Sequence, residues 1–281
     1  MAHLPVVLLH GALGAAPQLD RLHRALADHV RAPIHVLEFP GHGVTPPAPA
    51  DADGFRMERL VDWLGAALDA RGVERAVLFG YSMGGYAALL LAGAQPERVA
   101  AVVTLGTKLD WTPAGAAREA ARLDPAVLRA KVPAFADVLA ARHAGAGGWE
   151  AVLAHTAALL VALGERPLLD AGALAGVGVP VRILVGDRDA TLPVPECVDA
   201  VRSLPRGELG VLPGTPHPLE QVDVGRLARE VAEVHARATA DCRGGPARVV
   251  AQTRVDAPAA SRARTATASS ARASGTNRWS W

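Results

Sequence analysis

The sequence predicts an α/β protein with a mostly parallel central sheet and helices on both faces. Short apolar runs alternate with stretches of helical periodicity, the pattern of a mostly parallel sheet covered on both faces and joined by crossover helices. Glycine-rich turns follow several of these runs, at the strand ends where open α/β sheets collect their sites. Half of the 281 residues are hydrophobic, 20% are charged and the formal net charge is +1, so one large core is within reach. That balance argues against a disordered chain and against a strongly basic nucleic-acid binder.

Taken in order, the strand candidates are Pro5–Leu9, Ile34–Leu37, Ala76–Phe79, Ala101–Leu105, Val181–Val185 and Glu208–Leu212. Helices run between them. Leu19, Leu22, Leu26 and Val30 share one helical face, Met57, Leu60, Val61, Leu64 and Leu68 another, and Val224, Leu227, Val231 and Val234 a third. Spacings of three and four residues place each set along one stripe, which is expected to pack on the sheet. The alternation breaks once, between Leu105 and Val181, where some 75 residues intervene. One crossover needs far fewer. Helical patterns at 114–123, 125–143 and 149–163, parted by Pro133 and the Gly145–Gly148 patch, predict a helical cap over about 108–176.

Composition changes near residue 238. The last 44 residues hold seven Arg against two acids and five of the seven serines, with no apolar periodicity before Trp279 and Trp281. Residues 1–237 therefore read as one domain of net charge about −4, and 238–281 as a disordered, dispensable Ala/Arg/Ser/Thr-rich tail of about +5. No apolar run approaches the roughly 20 residues of a membrane span, and the Met-Ala-His opening has no basic leader, so a cytoplasmic protein is expected. Cys197 and Cys242 make neither a disulfide framework nor a zinc spacing.

The strongest chemical signal is Gly80-Tyr81-Ser82-Met83-Gly84, placed between an apolar strand and a helical run. A serine flanked in this way on a strand-turn-helix is a nucleophile elbow. At this composition chance supplies only about 0.07 such pentapeptides. The turn strains the serine backbone, and side chains at Gly80 or Gly84 would collide with the neighbouring strand and helix. The helix N-terminus then favours negative charge beside the hydroxyl. His10-Gly11-Ala12 follows the first strand, in the loop that supplies the second oxyanion donor of elbow enzymes; the N–H groups of Ala12 and Met83 are the candidates. His10 is expected to orient that loop, and His42, in Gly41-His42-Gly43, to be structural or pocket-lining. A base and its orienting acid are needed next. Asp187 and Asp189 follow the fifth strand and His217 the sixth, in the Ser, Asp, His chain order of elbow enzymes.

Together these pieces, spanning residues 1 to about 237, resemble the α/β-hydrolase superfamily, as a serine-nucleophile member with a helical cap. The chain would start at that family's third strand, its leading hairpin absent or very short. The resemblance implies a triad of Ser82, Asp189 and His217, because the family's acid stands a few residues past the strand glycine and shortly before a proline, here Pro193. It implies an acyl-enzyme on Ser82 and calls for no metal or organic cofactor. The substrate would be a small to medium, mainly apolar ester or related acyl compound, met by Leu13, Leu109, Trp111 and Leu192 at the site and by Phe135 and Trp149 of the cap. No nucleic-acid partner is expected, and oligomeric state is not legible. Two other readings are open. One is a lyase or carbon-carbon hydrolase like the menaquinone-pathway synthase, using the same triad on an anionic substrate held by cap arginines among Arg118, Arg122, Arg129, Arg142 and Arg166, which otherwise read as solvated faces. The other is a ligand-binding relative without catalysis.

Overall fold

A computed structural model of the chain describes residues 4–48 and 55–243. The strands are β1 Val6–Leu9, β2 Ile34–Leu37, β3 Ala76–Tyr81, β4 Val99–Leu105, β5 Val181–Gly186 and β6 Gly207–Leu212. They form one sheet in the order β2-β1-β3-β4-β5-β6, every neighbouring pair parallel. The order reverses between β1 and β3, so the loops leaving these two strands flank a crevice at the carboxyl edge of the sheet, the usual position of a ligand site in open α/β folds.

The two-residue period of a strand divides each apolar run between two cores. Val6 and Leu8 of β1 share one core with Val77, Phe79, Val103 and Leu184, under the helices α1 Asp20–Ala27 and α10 Val224–Arg243. Val7 and Leu9 share the other with Leu78, Val102, Ile183 and Val185, under α2 Met57–Asp69 and α3 Met83–Ala94. The stripes read from the sequence are the buried faces: Leu22, Leu26, Leu60, Leu64, Leu227 and Val231 are all buried. Helix α3 carries no charged residue and is apolar nearly all round, because β3, β4, α2 and the chain beyond enclose it.

Five helices fill the interval between β4 and β5: α4 Pro113–Ala121, α5 Pro125–Lys131, α6 Pro133–Arg142, α7 Trp149–Glu165 and α8 Ala171–Ala175. Prolines open α4, α5 and α6, where a missing N–H costs nothing, and the side chains of Thr112 and Asp124 cap the first two. Helices α4 and α7 pack closely; a side chain at Gly164 would overlap Ala116. The hydroxyl of Tyr86, on α3, accepts the N–H groups of Leu168 and Leu169 at 3.0 and 3.1 Å and so ties the return segment to the main body. Helix α9 Val194–Ser203 then leads to β6. None of the helices among the described residues is long and apolar enough to cross a membrane.

The boundary expected at 237 needs correcting, because α10 continues to Arg243. Ala238 extends its buried stripe, and Asp241 pairs with Arg206 at 3.2 Å. The rest of the expected tail, including Trp279 and Trp281, lies outside the described residues. Deleting residues 244–281 is expected to leave the melting temperature unchanged, whereas a deletion starting at Ala238 should lower it by removing a buried helical turn. A loss of folding in the shorter deletion would show that the last 38 residues pack on the body.

Candidate active site

Ser82 occupies the sharp turn from β3 into α3, with φ 49° and ψ −115°. A non-glycine residue in this region costs on the order of 1–3 kcal/mol and persists only where its surroundings over-determine it. They do so here. The Ser82 N–H donates to Leu105 O at 2.8 Å, and its carbonyl accepts from the Thr107 hydroxyl at 2.9 Å. A Cβ at Gly80 would overlap the backbone of Gly84, one at Gly84 would lie 2.6 Å from His10 O, and one at Gly85 would overlap the Thr107 hydroxyl. Three glycines thus let the strand, the helix and the β1 loop close around one serine. Gly85 adds to the two singled out from the sequence.

The loops after β5 and β6 bring the other two side chains. His217 Nδ1 lies 2.7 Å from Asp189 Oδ2, while Asp189 Oδ1 accepts the N–H groups of Thr191 and Leu192 at 2.8 and 2.9 Å. The carboxylate is almost fully buried and the imidazole is 12% exposed. Gly106, at φ 62°, lies beneath the pair, and a Cβ there would come 3.1 Å from His217 Cε1. Asp187 serves the turn instead: its carboxylate accepts the Thr215 N–H at 3.1 Å, joining the two loops. Ser82 and His217 line the same cavity, together with Ala12 and Met83. Among the described residues, no protein acceptor takes the N–H of Ala12 or of Met83.

Histidines hold the β1 loop. His10 is wholly buried; its Nδ1–H donates to Gly11 O at 2.8 Å and its Nε2 accepts the Phe39 N–H at 3.0 Å. A planar trans peptide points its N–H opposite to its carbonyl. By holding Gly11 O, His10 therefore turns the Ala12 N–H the other way. Burial pushes the His10 pKa down to about 4, so the ring is neutral and orients the loop without exchanging protons. His42 donates from Nδ1 to Pro40 O at 3.0 Å and stacks on Phe55, and burial lowers its pKa well below the ordinary value. Glu38 binds the neighbouring turns, accepting from Ala16 N, Val44 N and the Thr45 hydroxyl at 2.9 to 3.0 Å. Burial works against its charge, but these donors hold the carboxyl below the usual range.

The cavity has a volume of about 150 Å³, comparable with an apolar protein cavity that accepts benzene. Of the six wall residues expected from the sequence, Leu13, Trp111 and Phe135 line it, and three do not. Trp149 is 5% exposed, packed at the start of α7 with the Arg129 guanidinium 4.9 Å from its ring. Leu192 is fully buried and contributes only its N–H, to Asp189. Leu109 faces a separate depression with Leu169, Leu174 and Ala200. Their places are taken by Thr156, Leu159, Leu160 and Leu163 of α7, with Leu123, Met57 and Tyr86. The α7 set has the i, i+3, i+4, i+7 spacing of one helical stripe, a legible signal. Cap arginines divide as well. Arg122 and Arg142 line the cavity, while Arg129 and Arg166 pair with Asp137 and Glu58 on exposed faces.

Comparison with known proteins agrees with this layout. The model of the alpha/beta hydrolase fold matches residues 5–152, more than half of the sequence.

The chain belongs to the alpha/beta hydrolase fold family.

It is 30% identical over 246 residues to the dihydrolipoyllysine-residue acetyltransferase component of the acetoin cleaving system of Pseudomonas putida, a match covering 80% of this chain and 62% of that protein. It is also 32% identical over 102 residues to the esterase YbfF of Escherichia coli, covering 36% of this chain and 37% of that one. The chain thus spans less than two thirds of each relative. Among solved structures, NosK from Streptomyces actuosus superposes with a TM-score of 0.72 at 24% identity, over 84% of this chain and 99% of its own, a likeness of fold.

The buried imidazoles set a pH dependence. His10, His42 and His143 all have pKa values lowered by burial from 6.5. Unfolding lets them protonate, so their stability is complete above about pH 6.5 and is lost as pH falls towards 4. His10 alone accounts for about 3 kcal/mol of this. Carboxylates titrate lower, so the melting temperature should already fall between pH 7 and pH 5. A flat profile over that range would mean that these rings are hydrated or charged in the folded state.

Proposed function

We propose that the protein is a serine hydrolase cleaving a small to medium, mainly apolar ester or related acyl compound through an acyl-enzyme on Ser82. One observation carries this reading: a strained serine, a histidine paired with a buried carboxylate and two unpartnered N–H groups open onto one largely apolar cavity. In the proposed reaction the Asp189 carboxylate holds the proton of His217 on Nδ1, leaving Nε2 as the base. His217 takes the Ser82 proton as Oγ attacks the carbonyl carbon. The oxyanion rests on the N–H groups of Ala12 and Met83, at the positively polarised end of α3. His217 returns the proton to the leaving alcohol, then activates the water that releases the acid.

Charge in the cavity supports a neutral substrate. Lys108, Arg122 and Arg142 line it, but each has a carboxylate partner: Glu196 at 2.8 Å, Glu119 at 3.1 Å and Glu220 at 3.4 Å. The lyase reading needs a cation for the substrate's carboxylate, and these three are already matched. The esterase relative agrees with the proposal, and the stripe of leucines on α7 fits an acyl chain. Apolar contacts separate chain lengths by only about 1–3 kcal/mol per methylene, so specificity should be broad.

Short p-nitrophenyl esters should give a burst of p-nitrophenol equal to the enzyme concentration, abolished in Ser82→Ala. Asp189→Asn should cost up to about 10⁴ in turnover by favouring the wrong tautomer of His217, and Asp187→Asn far less. Equal losses in the two Asp variants would contradict the assignment of the acid. Failure to turn over esters, with proton exchange into an anionic carbon acid that depends on Ser82, would move the assignment to the lyase. Neither activity, with binding retained, would leave a ligand-binding protein.

A further inference from the structure

Leu13 lies one residue beyond the Ala12 N–H and is, besides Ser82, the other non-glycine residue with a positive φ among those described, at 58°. This backbone conformation needs an external hold. Part of the hold is local, the Gly14 N–H donating to Gly11 O at 3.1 Å across the turn, and the rest comes from the insertion. At the end of α6, His143 Nε2–H donates to Leu13 O at 3.0 Å and Arg142 Nη1 donates to the same oxygen at 2.8 Å. The His143 ring is wholly buried, and its Nδ1 accepts the Gly43 N–H at 3.0 Å, so the β2 loop fixes both its tautomer and its plane. Arg142 also reaches Glu220, three residues beyond His217, at 3.4 Å. Two adjacent residues of the insertion therefore touch the loops that carry the proposed oxyanion donor and the proposed base.

We propose that Arg142 and His143 are positioning residues that couple seating of the insertion to formation of the oxyanion hole. With α6 down, the Leu13 carbonyl is clamped from one side and the Gly11 carbonyl from the other by His10, and the Ala12 N–H between them is aimed at the cavity. When α6 lifts, Leu13 O loses both donors, its left-handed conformation relaxes, the Gly14 N–H leaves Gly11 O, and the Gly11–Ala12 peptide, no longer closed in the turn, loses its aim at the cavity. The hole is thus complete only over a substrate that the insertion has closed upon. This rests on the hydrolase reading above, in which Ala12 is an oxyanion donor.

The test uses the full chain with Arg142→Gln, His143→Ala and His143→Gln, and Arg129→Ala as a control on the same insertion, where Arg129 meets Trp149 and Asp137. The glutamine at 143 can still present a donor to Leu13 O. Loss of one oxyanion donor costs about 10²–10³ in kcat, and a misaimed donor should cost about 10–100-fold. His143→Ala and Arg142→Gln should therefore lose kcat on p-nitrophenyl esters with KM changed little, and should bind an alkylboronic acid, whose serine adduct carries an oxyanion, weaker by a similar factor. His143→Gln should recover most of both, and Arg129→Ala should match the parent. Retention of kcat within twofold in Arg142→Gln and His143→Ala overturns the coupling, as does lost kcat with boronate affinity intact. Partly exposed Arg142 keeps the test alive if His143→Ala does not fold. Should the parent protein neither hydrolyse esters nor bind the boronate at Ser82, the hydrolase reading itself fails, a different outcome from a parent that is active and variants that are unaffected.

Discussion

The backbone of Ser82, held at φ 49° and ψ −115°, is the constraint around which the rest is arranged. No L-residue rests there unaided, so the surrounding chain must be close, rigid and free of side chains where it approaches. Gly80, Gly84 and Gly85 supply the closeness, and the neighbouring β4 and the loop leaving it supply the rigidity through Leu105 O and the Thr107 hydroxyl. The same closeness explains Gly11: a Cβ there would come 2.8 Å from the Tyr81 ring and 3.1 Å from Ser82 Cβ. Sheet, helix and loop are packed to one tolerance at this point, and strain that a flexible site would release is kept.

Around that serine the parallel sheet does the sorting. Loops leaving β1, β3, β5 and β6 all emerge at one edge, so Ala12, Ser82, Asp189 and His217, far apart in the chain, meet without any element crossing the core. The insertion between β4 and β5 arrives at the same edge. Helix α7 gives the cavity an apolar wall, and α6 gives it two hydrogen-bond donors to the β1 loop. Tyr86 ties the insertion to the helix that begins just after Ser82. Cover and chemistry are thus linked through backbone atoms.

Much of this was legible in the sequence because two signals are strong. Runs of four to seven mainly apolar residues bounded by turns read as strands, and all six strands lie on such runs, although β2, β5 and β6 carry His35, Arg182 and Glu208 and β2 and β6 are only partly buried. The glycines about Ser82 mark a backbone that few other turns require. Side-chain direction was not legible. Trp149 in the insertion and Leu192 three residues past Asp189 are both apolar, but a helix or turn points each of them into the core. Arg142 and His143 were hidden for the opposite reason: they look like the solvated end of an Arg-rich helix, and their role depends on a carbonyl some 130 residues earlier. The last helix overran its expected end because alanine and threonine carry little periodicity, although Ala238 is buried.

The central claim is that Ser82 attacks while the Ala12 and Met83 N–H groups hold the resulting oxyanion. A crystal structure of the protein after reaction with a fluorophosphonate tests it most directly: Ser82 Oγ bonds phosphorus, fluoride leaves, and the phosphoryl oxygen stands in for the oxyanion. The account requires that oxygen to lie within hydrogen-bond distance, about 2.7–3.1 Å, of both nitrogens. An adduct on another residue, or a phosphoryl oxygen turned away from Ala12 and Met83 towards solvent, would contradict it.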